Sequence, residues 1–236
     1  MSSNSFTKEN LDSFFKELSK AFRKINGKYA TAEIILVGGA AILTNYNFRD
    51  ATTDVDAIIR STASMKEAIN QVGDTFSLPN GWLNADFTKT ASYSQKLIQF
   101  SVPYKTFNRV LDVRTVKAEY LVAMKLRSGR KYKNDLSDII GILAEHEKQG
   151  VPITIEMVNK AVVDLYGGWE DFPHDSKSFI EDAMVNGNFD EIYTSVKTEE
   201  IESKDLLQEF EKDYPKVAKE SNVNDIIANL KNRKKQ

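Results

Sequence analysis

Apolar positions near the start of the chain fall three and four apart, at Leu11, Phe14, Phe15, Leu18, Phe22 and Ile25. That is the period of one helix face, and it predicts a helix over 8–27. The pattern then shortens. A brief apolar run at 34–37 ends in Gly38-Gly39, as a buried strand would, and 40–44 suits a short helix. Residues 55–59 predict a second strand, opened by Asp54 and Asp56. Ser64, with Glu67 three residues on, predicts a capping box for a helix reaching about residue 72.

A turn-rich stretch with a proline, 73–81, separates these elements from three further strand candidates at 82–87, 97–102 and 110–116. The polar segment 88–95 between them reads as a loop. Helices follow at 118–127 and 134–146, and Gln149-Gly150-Val151-Pro152 breaks the chain. Beyond the break the pattern is helical at 154–166, 175–186, 188–195, 203–213 and 222–232. The basic tail over 231–236 reads as a solvated end. This order predicts an α/β (α+β) chain. A small mixed sheet flanked by helices lies over about 28–148, and a helical carboxy-terminal region follows. The expected domains are 1–150 and 151–236.

Composition narrows the chemistry. The chain has 236 residues, 41% hydrophobic, enough for one sizeable core with a smaller helical appendage. The net charge of −2 does not support a whole-surface attraction to nucleic acid. There is no cysteine, and the only imidazoles are His146 and His174, far apart in sequence. Disulfides and thiolate metal sites are excluded, and a bound metal must be held by carboxylates, which favours magnesium. No apolar run approaches the roughly 18 residues that span a bilayer. The polar amino end lacks the apolar core of a signal peptide, so the expectation is a soluble cytoplasmic protein.

Two short features suggest a site. A glycine pair between strand and helix lets a phosphate approach the backbone with no Cβ in the way. The helix that follows points free N–H groups at that phosphate. A tight turn needing positive φ explains Gly38-Gly39 equally well. In Asp54-Val-Asp56, strand alternation puts both carboxylates on one face, about 7 Å apart. They are costly neighbours unless solvated or bridged by a cation.

The ordered set of apolar strand, Gly38-Gly39, short helix, Arg49, Thr53 and Asp54-x-Asp56 resembles the motif of the polymerase-beta-type nucleotidyltransferase superfamily. The fourteen residues between Gly39 and Asp54 are slightly more than in its compact versions. Downstream, the block from Glu119 through Lys125 to Arg130, followed by Lys133-Asn-Asp-Leu-Ser-Asp-Ile, resembles a bacterial nucleotidyltransferase-like family. That group is similar to abortive-infection toxins of the AbiEii kind, and Gly81-Trp-Leu-Asn resembles its middle segment. The resemblance covers about residues 30–145 and implies a nucleotidyltransferase fold. It implies that Gly38 and Gly39, with Thr53 and Arg49 nearby, hold nucleotide phosphates. It implies one or two Mg2+ ions on Asp54 and Asp56, and Lys125 directed at the triphosphate. Asp135 matches the family's downstream acid, Asp138 lies one helical turn on, and Arg130 pairs with phosphate or with Asp135.

A third carboxylate, to activate the attacking hydroxyl, has two candidates. Asp112 sits between Leu111 and Val113 within a strand, and Asp86 ends the tryptophan-bearing segment. Spacing favours Asp112 and the family's middle segment favours Asp86; Asp112 ranks slightly ahead, and a site that uses neither, with Lys125 and Asp135 instead, is the third alternative. The implied reaction is nucleotidyl transfer from a nucleoside triphosphate to an acceptor hydroxyl. For the toxin reading, the acceptor is a tRNA or protein and a cognate antitoxin is a partner. Lys125, Arg127, Arg130, Lys131 and Lys133 fall within nine residues and suit a polyanion or the triphosphate alone. Two other readings stand beside this one: a non-catalytic nucleotide-binding or protein-interaction descendant, and a small-molecule transferase of the antibiotic-modifying type. Trp169, Phe172, Tyr166 and Phe179 read as packing residues.

Overall fold

A computed structural model describes residues 5–219 and 222–234. The first four residues of the polar amino end and the last two of the basic tail lie outside it. By its backbone contacts the chain forms two compact units. One runs to Met124 and adds Lys160–Gly167; the other holds Lys125–Asn159 and the chain from Gly168 onward.

The first unit opens with helix α1 (Lys8–Asn26), capped by a reciprocal box between Thr7 and Asn10. Its Leu11, Phe14, Phe15, Leu18 and Phe22 are buried, as their spacing predicts. The sheet comprises β1 (Ala32–Leu36), β2 (Val55–Arg60), β3 (Leu83–Asn84), β4 (Ser101–Phe107) and β5 (Leu111–Val116), in the order β3-β2-β1-β5-β4. β1 is central, antiparallel to β2 and parallel to β5. Covered on both faces, it reads as a continuous apolar run, with Ile34, Ile35 and Leu36 fully buried. Helix α2 (Gly38–Asn45) follows β1, and α3 (Met65–Phe76) links β2 to its parallel neighbour β3. The chain is thus mixed α/β, as expected.

The core of this unit gathers around Trp82. Its ring stacks on Phe6 at 6.0 Å and meets Phe14 at 5.9 Å and Phe15 at 6.5 Å. Its indole N–H donates to the Ile69 carbonyl at 3.1 Å. The ring lies close to Gly73 of α3, where a Cβ would make an ordinary contact with Trp82 Cδ1 at 3.4 Å.

Four local expectations are corrected. Ser64 makes no capping bond to α3; its hydroxyl donates to Asn26 Oδ1 at 2.8 Å instead. The strand expected at 82–87 is only Leu83–Asn84, because Asn84 Oδ1 accepts the Asp86 N–H and turns the chain into a short 3-10 helix, Asp86–Lys89. The strand expected at 97–102 begins at Ser101. Leu97 is buried in a 3-10 turn, and β4 is an edge strand whose Pro103 and Lys105 break the apolar pattern. The helices expected at 188–195 and 203–213 are one, α8 (Phe189–Asp213).

The chain continues through α4 (Ala118–Ser128), α5 (Asp135–Lys148), α6 (Ile155–Tyr166) and α7 (Ser176–Asn186) to α8 and α9 (Val223–Lys234). In the second unit α5 packs on α8, and α8 on α9, where Leu207, Val223 and Ile227 form a small apolar cluster. Trp169 and Phe172 pack together at 4.8 Å, and the Trp169 indole N–H donates to Asn159. Among the described residues no helix is long and apolar enough to cross a membrane.

Replacing Trp82 with alanine is expected to cost about 3–5 kcal/mol of unfolding free energy, the range for a buried aromatic. Trp82→Phe keeps the ring contacts and loses the bond to Ile69, so about 1–2 kcal/mol is expected. Urea unfolding followed by circular dichroism measures both.

Candidate functional site

The first unit builds the glycine–aspartate corner from the end of its central strand pair. The Val37 N–H donates to the Asp56 carbonyl at 3.1 Å, continuing the β1–β2 ladder past Leu36. The chain then turns at Gly38, whose φ of +53° favours glycine, and α2 begins. The N-cap Val37 offers no side-chain acceptor, and the first intrahelical bond of this end is Ala41 N–H to Val37. The N–H groups of Gly38, Gly39 and Ala40 therefore have no intrahelical acceptor, and their partial positive charge suits an anion.

Asp56 faces that turn. Its Oδ2 lies 4.0 Å from where a Cβ on Gly38 would sit. Gly39 is a glycine for another reason. A Cβ there would meet Thr52 Oγ1 at 2.6 Å and an Arg49 guanidinium nitrogen at 2.8 Å. Arg49 Nε donates to the Ala51 carbonyl at 3.1 Å, and Thr52 Oγ1 donates to Asp54 Oδ1 at 3.4 Å. Thr52 is itself tied down by backbone bonds in both directions with Phe6. Arg49, Asp54 and Asp56 thus lie around the glycine pair, and Thr53, like Asp54, is exposed. Thr52 is the residue that sequence reasoning passed over. No local pattern marks it, because the chain bends at Thr53 and β2 begins only at Val55.

This donor set can be tested against a metal ion. Asp54 is exposed and Asp56 half-buried. No group of three or more Asp, Glu, His or Cys side chains among the described residues is arranged to hold a metal. Two hard carboxylates beside a helix start whose N–H groups lack intrahelical acceptors fit magnesium, which binds through one or two carboxylates and completes its shell with phosphate oxygens and water.

The strand register separates the two candidates for a third acid. Asp56 pairs in register with Asn84 of β3, and Asp86 follows two residues later. Asp112 pairs with Glu33 of β1, four positions before Val37, or about 13 Å along the strand. Its carboxylate accepts from the Thr106 hydroxyl at 2.6 Å on the neighbouring strand. Asp86 is exposed and bridges Lys89 at 2.8 Å.

The second unit holds the lysine–aspartate block. Lys125 lies in the last turn of α4, with its side chain 9% exposed. Its ammonium donates to Asp135 at 2.7 Å and pairs with Asp138 at 2.9 Å. Arg130 donates to the same Asp135 through Nε at 2.7 Å and through a terminal nitrogen at 3.2 Å. Asp135 is fully buried. Burial opposes its ionisation, but Lys125 and Arg130 outweigh that and hold its carboxyl well below the ordinary 3.8. Lys131 is ion-paired with Asp175.

Glu200 of α8 was not singled out by sequence. It lies in an acidic run, and nothing distinguishes it from its neighbours Glu199 and Glu202. It is 4% exposed and caps α5 from outside. Its carboxylate accepts from the Leu136 N–H at 2.9 Å, the Ser137 N–H at 3.1 Å and the Ser137 hydroxyl at 2.5 Å. The helix's own N-cap, Asn134, makes no such bond. Burial pushes Glu200 up to about 7, against the pull of those donors, and Asp138 adds to the rise.

Two stability predictions follow from these groups. Asp135→Asn leaves buried cations short of a counter-charge and is expected to destabilise the protein by about 3–5 kcal/mol. Glu200 behaves in the opposite sense to Asp135. Its folded pKa is raised, so the folded state binds its proton more tightly, and stability falls as pH rises from 4.5 through 7. Asp135 has a depressed pKa; its contribution is present above 3.8 and lost only in stronger acid. Denaturant unfolding at pH 5, 6, 7 and 8 is expected to show the decline in the parent chain and a flatter profile in Glu200→Gln. An equal slope in both proteins counts against the assignment.

Residues 11–171 match the model of a family described as nucleotidyltransferase of unknown function (DUF6036). Neither a curated protein nor a solved structure matches the chain. The matched span includes the whole sheet, Gly38-Gly39, Asp54-x-Asp56 and the Lys125–Asp135 block. On that match, over about two thirds of its length, the chain belongs to this nucleotidyltransferase family.

Proposed function

We propose that the corner at Gly38-Gly39 and Asp54-x-Asp56 binds a nucleoside triphosphate with Mg2+ and transfers its nucleotidyl group to an acceptor hydroxyl. The observation that carries this reading is the position of the Asp56 carboxylate, 4.0 Å from the Cβ site of Gly38. A metal-binding carboxylate and an anion-binding helix start face one spot.

In the reaction the acceptor oxygen bonds to the α-phosphorus, the bond from that phosphorus to the bridging oxygen breaks, and pyrophosphate leaves. The N–H groups of Gly38, Gly39 and Ala40 hold phosphate oxygens, and Arg49 adds a cation beside Gly39. Thr52 orients Asp54. Magnesium on Asp54 and Asp56 supplies charge neutralisation and polarises the phosphate when bound. Asp86, two residues past the register partner of Asp56, takes the acceptor proton in preference to Asp112. Lys125, Arg130, Asp135 and Asp138 act as the ionic framework of their helices, since the Lys125 ammonium is already held by two carboxylates.

For the acceptor we follow the resemblance of the 119–139 block to abortive-infection toxins. It points to a tRNA or protein hydroxyl in the cytoplasm, with a cognate antitoxin restraining the activity.

Incubation with each α-labelled triphosphate, Mg2+ and total cellular RNA or protein tests the reading. Label is expected to move to one of these fractions. Asp54→Ala and Asp56→Asn are each expected to lower the rate at least about 100-fold while remaining folded by circular dichroism. Asp112→Asn is expected to retain most activity and Asp86→Asn to lose it. Undiminished transfer by folded Asp54→Ala overturns the proposal. Stabilisation by nucleotide with no transfer marks a binding protein instead.

A further inference from the structure

We infer that the second unit holds a site for a small organic cation, a primary amine with an apolar body. It lies in the cavity lined by Leu136, Ser176, Phe179, Val196, Glu200 and Ser203. This site is separate from the proposed nucleotidyl transfer and does not depend on it.

The cavity measures about 320 Å³, within the range of small-ligand pockets. Its buried polar groups have their protons committed elsewhere. The Ser176 hydroxyl donates to the Leu126 carbonyl at 2.9 Å, and the Ser203 hydroxyl donates to the Glu199 carbonyl at 2.6 Å. Both serines are buried, at 3% and 0% exposure. Ser176 keeps oxygen lone pairs and a little exposed surface, whereas Ser203 has no exposed surface and only closes the wall. The Glu200 carboxylate accepts three hydrogen bonds, and a carboxylate offers about four acceptor positions. The buried polar lining therefore offers acceptors and lacks donors. A primary ammonium, with three donors and no acceptor, complements it.

The remaining walls agree. Leu136, Val196 and Phe179 suit an apolar body, and the Phe179 ring can face a cation. The charged residues of the lining are Asp175, Glu199, Glu200, Lys131 and Lys231, three acids against two bases. Lys131 is already paired with Asp175. An anionic ligand would meet Glu200 and find no donor among the buried groups.

The chemistry also gives a pH signature. An ammonium beside Glu200 favours its ionised form, so amine affinity rises as Glu200 loses its proton. The charged groups around Glu200 are Asp138, Glu199, the Lys131–Asp175 pair, Lys231 and, near the head of α5, Lys197.

Titration calorimetry of the full chain with 2-phenylethylamine and isoamylamine tests the inference, with 2-phenylethanol and 3-phenylpropionate as controls. Saturable binding of at least one amine at pH 8 is expected, with both controls at least about 10-fold weaker. Amine affinity is expected to fall roughly 10-fold between pH 8 and pH 6. Glu200→Gln is expected to weaken binding at least about 10-fold and flatten that profile. Should Glu200→Gln fail to fold, Val196→Phe fills the cavity without changing charge and is expected to abolish binding. Absence of saturable amine binding, equal binding of all probes, or unchanged binding in Val196→Phe overturns the site. Tighter binding of 3-phenylpropionate, lost in Lys231→Ala, also overturns it in favour of an anion site.

Discussion

The hydrogen bond from the Val37 N–H to the Asp56 carbonyl holds the end of the central strand against the start of its neighbour. The proposed site of the first unit is built on that pairing. Because β1 and β2 run antiparallel, the residue after the last β1 position meets the second residue of β2. The glycine turn and the paired aspartates, separated by fourteen residues, are thereby held together. Gly38 then needs positive φ to leave the strand at once, and its missing Cβ leaves room beside Asp56. The tight-turn and phosphate-binding accounts of the glycine pair describe the same backbone.

The two acidic pairs are treated in opposite ways. Asp135 and Asp138 are buried, and Lys125 and Arg130 neutralise them at hydrogen-bonding distance. Removing water from those charges is tolerable only because the geometry is good. Asp54 and Asp56 stay exposed and half-buried at the sheet's end, where solvent screens them. Carboxylates that pair with a mobile cation must remain accessible to it, and this difference in burial fits the metal proposed for Asp54 and Asp56. It also supports a structural role for the lysine block.

What could be read from the chain tracks how local each interaction is. The central strand was legible because a strand covered on both faces must be apolar throughout, as Ile34-Ile35-Leu36 is. β4 was misplaced because an edge strand is free to carry Pro103, Lys105 and Thr106, while Leu97 is buried in a turn. α8 was divided because its middle, 196–202, has little apolar stripe; its one buried position there is the polar Glu200. The glycine pair and the two aspartates were visible as short motifs. The Asn84 register, which distinguishes Asp86 from Asp112, and the Glu200 cap are contacts across long sequence separations, and no local pattern encodes them.

Glu200 shows why such a contact escapes a motif search and still constrains the fold. A carboxylate in mid-helix is normally solvated. Here it satisfies two orphan N–H groups at the head of α5, which that helix's own cap leaves open. The positive end of α5 favours the charged carboxylate, while burial favours the neutral acid. Burial prevails and raises the group to about 7. A merely structural cap would gain nothing from that balance, since a neutral amide accepts backbone bonds without any desolvated charge. A carboxylate at a cavity wall, with acceptor capacity left over, suits the amine inferred for that cavity.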